Sequence, residues 1–267
     1  MSQALVQRWD AFLKSIQERF EQIMQEARDG CMQLARDSSY DPVPWGNAWG
    51  AMERRAKDLD SKIRDTWQEQ VEPKFEEAGA PPALIQQQAQ KGEALCDWME
   101  LEIERTGIQI ECTLARELAE IDERERRSGF PCRHCGAPLP APITHQTVNL
   151  TCPYCRTVNE YEPGMRTRFI ANSVDALSKE SAWSELVAMR DAERAYHRAR
   201  PHTIQHIRAW EAAQSAYLRK YLTTRLQYLP DQAASFAKDL ASRMEQFYIN
   251  LENDAEWAKA GRQRAPL

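Results

Sequence analysis

Apolar residues in the first stretch of the chain recur at steps of three or four: Leu5, Trp9, Phe12, Ile16, Phe20, Ile23, Ala27, Cys31 and Leu34. That period lays one apolar stripe along an amphipathic helix and predicts a helix over roughly residues 1–36. Asp37-Ser38-Ser39-Tyr40-Asp41-Pro42, with Pro44 close behind, reads as a turn. A second stripe runs through Trp49, Met52, Ala56, Leu59, Ile63, Trp67, Val71 and Phe75. It stops at Ala78-Gly79-Ala80-Pro81-Pro82, where glycine suits a helix C-cap and proline suits a helix start. A third stripe, Leu95, Met99, Ile103, Ile110, Leu114, Leu118 and Ile121, marks a helix over roughly residues 83–127. Unbroken, it would be about 65 Å long; Gly107 is where a kink or break is expected.

The period is then lost. Residues 129–164 hold six of the 14 Pro and three of the 10 Gly, and the runs Ile143-Thr144-His145 and Thr147-Val148-Asn149-Leu150-Thr151 look like strands. Helical spacing resumes near Asn172 with Val174, Leu177, Leu186, Met189 and Tyr196, then Ile204, Ile207, Trp210, Tyr217 and Tyr221. Pro201 marks a new start or a kink, and Leu229-Pro230-Asp231 a break with a good N-cap. Phe236, Leu240, Met244, Phe247, Leu251 and Trp257 carry the last helix. No internal repeat at a solenoid period is present. The expected fold is mainly α: a bundle of long antiparallel helices with a small inserted β module. Residues 1–128 would be helical hairpins, 129–164 the insert, and 165–267 the helices completing the bundle.

Composition supports a packed core. The 267 residues include 8 Trp, 8 Tyr and 7 Phe, and 10 Gly are too few for a loop-rich all-β fold. A net charge of −5 argues against polyanion binding by the chain as a whole. The charge is uneven: residues 1–121 carry 14 Lys/Arg against 23 Asp/Glu, while residues 122–170 and 171–267 are each at +2. An acidic front would be repelled by anionic lipid. No uncharged apolar run approaches the length of a membrane span. Arg8, Asp10, Lys14, Glu18 and Arg19 interrupt the N-terminus at helical spacing, unlike a signal peptide. The C-terminal Gly-Arg-Gln-Arg-Ala-Pro-Leu has no lipidation box. A cytoplasmic protein is expected, with signal-free export still compatible.

The clear chemistry lies in the insert. Cys132-Arg-His-Cys135 and Cys152-Pro-Tyr-Cys155 are two CxxC pairs sixteen residues apart, the spacing of a four-thiolate metal site. Two residues between cysteines let a tight turn aim both sulfurs at one ion, and the turn's N–H groups can donate to the thiolates. Gly136 can take the positive φ that ends such a turn, and Pro153 pre-sets its own. The residues between the pairs can form a hairpin that brings the turns together. Residues 130–163 resemble the zinc ribbon family: CRHCG and CPYCR match its two knuckles, with Arg156 where the second knuckle usually carries glycine. The resemblance implies a β ribbon and one structural Zn2+ on Cys132, Cys135, Cys152 and Cys155. It selects no function, since such ribbons bind DNA, RNA and proteins. An iron site on the same ligands and two disulfides are the alternatives; seven Cys cannot all pair, and disulfides need an oxidising compartment. Four thiolates leave no open position, which points to structure and away from catalysis.

Weaker signals surround this one. Cys31, Cys96 and Cys112 sit in helical segments without a partner motif and read as buried small hydrophobes. His202 and His206 have a metal-compatible i,i+4 spacing, with His197 upstream, but read as exposed or capping residues. Arg124, Arg126 and Arg127 precede the insert, Arg133 and Arg156 lie in its knuckles, and Arg166 and Arg168 follow. The last four are candidate contacts for phosphates or for a partner. No phosphate loop, nucleophile elbow or Cys-His catalytic constellation is present. The expected function is therefore non-catalytic: a protein-interaction or scaffold module with the ribbon as recognition surface. A nucleic-acid-binding regulator is the alternative, and association into homo-oligomers stays open.

Overall fold

The computed structural model describes residues 2–127, 130–140, 142, 146–199 and 201–265; of these, the side chains of 122–127, 165, 230 and 231 are outside the description. The fold is mainly α with a small inserted β region, and the chain divides into two compact units, residues 1–110 and 111–267. The division falls inside a helix, at Ile110, and not at the change of composition near residue 128.

In the first unit, α1 (Ser2–Asp37) buries Trp9, Ile16, Phe20, Ile23, Ala27 and Cys31, as its period dictates. The edges of the stripe shift: Leu13 and Ala35 are buried, while Phe12 is half-buried and Leu34 exposed. A turn at residues 38–40 leads to Asp41, whose carboxylate accepts the Val43 N–H at 3.0 Å and caps α2 (Pro42–Thr66). The second stripe is not one regular helix. Its continuation Trp67–Val71 is π-helical before α3 (Glu72–Glu77) resumes. Pro73 explains this: it has no N–H for the carbonyl four residues back and its ring crowds that carbonyl, so the backbone widens by one residue. The Glu72 N–H accordingly reaches the Trp67 carbonyl.

The helix closes at Ala78–Ala80, where the Ala80 N–H bonds the Phe75 carbonyl at 2.9 Å and the Gly79 N–H bonds that of Glu76 at 2.9 Å. α4 (Pro82–Arg127) then runs unbroken through Gly107. Close approach explains that glycine: a Cβ there would stand 3.0 Å from Cζ2 of Trp49. The core of the unit packs Trp9, Phe20 and Ile63 against Cys96, Met99 and Ile103 of α4, and the Trp9 Nε1–H donates to the buried Gln88 carbonyl at 3.0 Å.

The second unit continues α4 from Glu111 and holds the β module, α5 (Met165–Asn172), α6 (Val174–Ser181), α7 (Trp183–Arg198), α8 (Ile204–Tyr228), α9 (Phe236–Asn250) and α10 (Ala255–Lys259). Helix begins at Met165, earlier than the period near Asn172 implied, and bends at the fully buried Ser173 and Ala182. Pro201 lies in a true break between α7 and α8. The expected cap at Asp231 falls inside a 3-10 turn, Pro230–Ser235, that precedes α9. Trp257 belongs to the short α10, capped by Asp254, whose carboxylate accepts the Trp257 N–H at 2.9 Å. The core of these helices is aromatic: Trp210, Tyr221, Phe247, Tyr248 and Trp257. No described helix is long and apolar enough to cross a membrane.

Candidate metal centre

Each CxxC pair is the loop of its own hairpin. β1 (Phe130–Pro131) pairs antiparallel with β2 (Pro138–Leu139) around the first knuckle, and β3 (Val148–Thr151) with β4 (Val158–Tyr161) around the second. This differs from the expected single hairpin between the knuckles; of the two strands read from sequence, 147–151 corresponds to β3, and Ile143-Thr144-His145 lies outside the described residues. Nucleating each hairpin at its knuckle keeps the closed loops short, which lowers the entropy cost of closure.

The two turns repeat one geometry. In the first, the Cys132 N–H donates to the Ala137 carbonyl at 2.8 Å and the Gly136 N–H to the Cys132 carbonyl at 2.9 Å. In the second, the Cys152 N–H donates to Thr157 at 3.0 Å and the Arg156 N–H to Cys152 at 2.9 Å. The matching residues Gly136 and Arg156 both take positive φ, 74° and 62°. Position thus overrides residue type: the turn demands the left-handed conformation even of an arginine.

The four sulfurs lie within 4.8 Å of one another, with Cys132 and Cys155 at 3.5 Å and Cys135 and Cys152 at 3.7 Å. All four are free, far beyond the ~2.05 Å of a disulfide. Four sulfurs tetrahedral about one ion at the ~2.3 Å of a zinc–thiolate bond would stand about 3.8 Å apart. The donor set therefore fits a single metal ion. Cys132 and Cys152 are buried, Cys155 half-buried and Cys135 exposed. Beneath them sit Leu139 and Leu150, and Phe130 meets Tyr161 edge to face at 5.6 Å.

Backbone N–H groups aim at the sulfurs, as the motif requires. The Cys135 N–H, then burial in opposition, then the His134 N–H and the Asn159 amide set the Cys132 thiol, which is held down at about 6. The Thr157 hydroxyl and N–H lower Cys155. The Ala137 N–H draws Cys135 down, but crowding by the Cys155, Cys152 and Cys132 thiols together with desolvation pushes it up to about 12. The site thus favours negative sulfur at some positions and resists four negative sulfurs without a counter-ion, as a cation-binding cluster does.

Among the described residues this is the one group of three or more potential ligands gathered closely enough to hold a metal. Nε2 of His202 lies 2.8 Å from the Asp254 carboxylate, and Nδ1 of His206 accepts the Thr203 N–H at 3.1 Å, capping α8. Cys31, Cys96 and Cys112 are buried at separate places; burial, helped at Cys96 by the Asp60 carboxylate, pushes Cys96 up to about 12, and burial does the same at Cys112. They are protonated thiols in the helical cores.

Of the candidate arginines, Arg133 and Arg156 are exposed on the knuckles. Arg166 and Arg168 are half-buried on α5, and Arg168 pairs with Glu162 at 3.0 Å. The side chains of Arg124, Arg126 and Arg127 lie outside the described residues. Two features escaped the sequence reading. Tyr154, in the second knuckle, is 75% exposed, although aromatic residues elsewhere read as core. Asn159, on β4, is fully buried beside Cys132. Its sequence signal was alternation alone: Val158 and Glu160 point outward, so Asn159 and Tyr161 must point in. Comparison with family models, curated proteins and solved structures gives no match.

Proposed function

We propose that this chain is a non-catalytic, zinc-containing interaction module whose β insert recognises a protein partner. The carrying observation is the exposure of Tyr154 at 75% and of Val158 at 59%, next to the four-cysteine cluster. An aromatic ring held in water by a rigid turn is the kind of anchor that protein interfaces bury. A closed four-thiolate centre supports structure and leaves no coordination position for a substrate. Zinc is favoured over iron by the spacing and by the commonness of structural four-cysteine zinc sites.

Elemental analysis of the purified chain should give one zinc per chain; iron would overturn the zinc assignment, and no metal would overturn the centre itself. Quantitative cross-linking and affinity capture should then compare wild type with Tyr154→Ser/Val158→Ser. Loss of specific partners at unchanged zinc content is expected, and full retention refutes the recognition role. The exposed Arg133 and Arg156 favour a second reading, single-stranded nucleic acid gripped by stacking and phosphate contact. That reading requires oligonucleotide binding that weakens steeply with salt and is lost on Arg133→Ala/Arg156→Ala, with Arg166→Ala and Arg168→Ala adding less.

A further inference from the structure

The two knuckles are separate hairpins, so a surface shared between them is only as well defined as the link that joins them. Besides the cysteines and the apolar contacts beneath them, one fully buried polar side chain hydrogen-bonds across the two. Asn159 sits on β4, in the second hairpin, fully buried and paired in register with Leu150 on the inner face. Its Nδ2 donates to Sγ of Cys132 across the module at 3.5 Å and to the Thr157 carbonyl at 2.9 Å. Its Oδ1 accepts the backbone N–H of Arg133 at 2.8 Å. Both ends of the amide are used, and both reach the first knuckle while the residue is anchored in the second.

We infer that Asn159 is a positioning residue that couples the metal centre to the recognition face, setting the first knuckle with Arg133 against the second knuckle with Tyr154 and Arg156. The inference rests on the reading of the four cysteines as a metal centre. A metal-bound thiolate is a stronger hydrogen-bond acceptor than a thiol. Binding an ion therefore tightens the Nδ2–H···S bond, and the same amide carries the Arg133 N–H with it. The recognition face would be formed only when the ion is bound, and Asn159 is the hydrogen-bonded link between the ligands and the Arg133 backbone. Asparagine suits the position because the link needs a donor and an acceptor on one short planar group. Aspartate keeps the acceptor but has no donor for the sulfur, and it adds negative charge beside thiolates.

The test uses the full chain stripped of metal and titrated with Co2+ and then with Zn2+ against a chelator. Wild type, Asn159→Ala, the isosteric Asn159→Asp, and Asn149→Ala on the outer face of β3 are compared. Expected is metal affinity about 10- to 100-fold weaker for Asn159→Ala and weaker still for Asn159→Asp, the range of losses when a residue supporting a metal ligand is removed. The sulfur-to-cobalt charge-transfer band should move to longer wavelength in Asn159→Ala, because a thiolate freed of its N–H donor is more electron-rich. A merely structural role would leave that band in place. In 15N spectra, the Arg133 amide of wild type should shift downfield on metal binding, and the shift should be lost in both Asn159 variants. Asn149→Ala should match wild type throughout. Wild-type affinity and spectrum in either Asn159 variant would overturn the inference while leaving the metal centre standing. A wild-type chain that takes up neither ion would overturn both.

Discussion

Arg156 offers a direct measure of how strongly the knuckle geometry is imposed. It stands at φ 62°, the conformation that Gly136 takes at 74° in the matching turn. A residue with a Cβ in the left-handed region loses roughly 1–2 kcal/mol against the right-handed one. Glycine escapes that cost but loses about 0.5–1 kcal/mol more chain entropy on folding. The difference leaves Arg156→Gly about 0.5–1 kcal/mol better. In a module folded by its ion, this relief appears as metal affinity, two- to five-fold at about 1.4 kcal/mol per decade. Arg156→Gly also removes a positive charge near the thiolates, so the informative comparison is with Arg156→Ala, which removes the charge and keeps the strain. Gly136→Ala is the mirror experiment. Its new methyl would meet nothing within 4 Å, so any loss reports backbone strain net of the chain-entropy difference, with no steric clash. Chelator competition at fixed pH and ionic strength should rank Arg156→Gly two- to five-fold tighter than Arg156→Ala, and Gly136→Ala two- to five-fold weaker than wild type. Equal affinities within either pair would refute the reasoning.

Four further outcomes are expected. Cys132→Ser or Cys152→Ser should abolish metal binding measured by elemental analysis, whereas Cys96→Ala should leave metal content unchanged and lower stability by the ~1–2 kcal/mol of a small buried truncation, read as a lower melting temperature. Chelation should remove little of the helical circular dichroism, because the cores around Trp9 and Trp210 contain none of the four ligands; a collapse of helix would refute their independence. Burial raises the Glu111 carboxyl, so it favours folding while protonated and opposes it as pH rises past the ordinary carboxylate value; Glu111→Gln should raise the melting temperature at pH 7 and have no such benefit near pH 4. Asp175 has the opposite sign: the Tyr221 hydroxyl and Lys179 outweigh its desolvation and lower it, so Asp175→Asn should destabilise at pH 7, with the difference closing as acid protonates the wild-type group.

Periodicity located the long helices because burial of a stripe is a property of the local sequence. α1, α4 and α8 follow from it almost to their ends. What periodicity cannot register is a change of one residue in the helical repeat. The π-helical stretch before Pro73 and the bends at Ser173 and Ala182 leave helical apolar spacing on either side, and the stripe read through Pro73 to Phe75 without registering it. Gly107 shows the converse. Its propensity argues for a break, but the nearest danger to the helix there is the Trp49 ring, and a missing side chain solves a packing problem without bending the backbone. The division at Ile110 is likewise invisible in the sequence, because α4 is one uninterrupted stripe whose first part packs into one core and whose remainder belongs to the other unit.

The metal centre divides along a similar line. Its ligands were legible because the chemistry of four thiolates on one ion forces a spacing, and spacing is what a sequence records. The groups that orient those ligands follow no such rule. Asn159 reaches Cys132 from another hairpin, and Tyr154 stands in water because its turn is held from inside by sulfur and N–H contacts. Both depend on how β1–β2 and β3–β4 meet, a relation carried by the ion and by a handful of side chains with no period of their own. The same physics links the centre to the proposed function. With few apolar residues beneath it, the module would gain its shape from a bound ion and from Asn159 more than from hydrophobic burial, and the face that carries Arg133, Tyr154 and Arg156 would be organised by coordination chemistry. On the proposed reading, a residue that tunes coordination also tunes recognition, even when it lies buried and touches no partner.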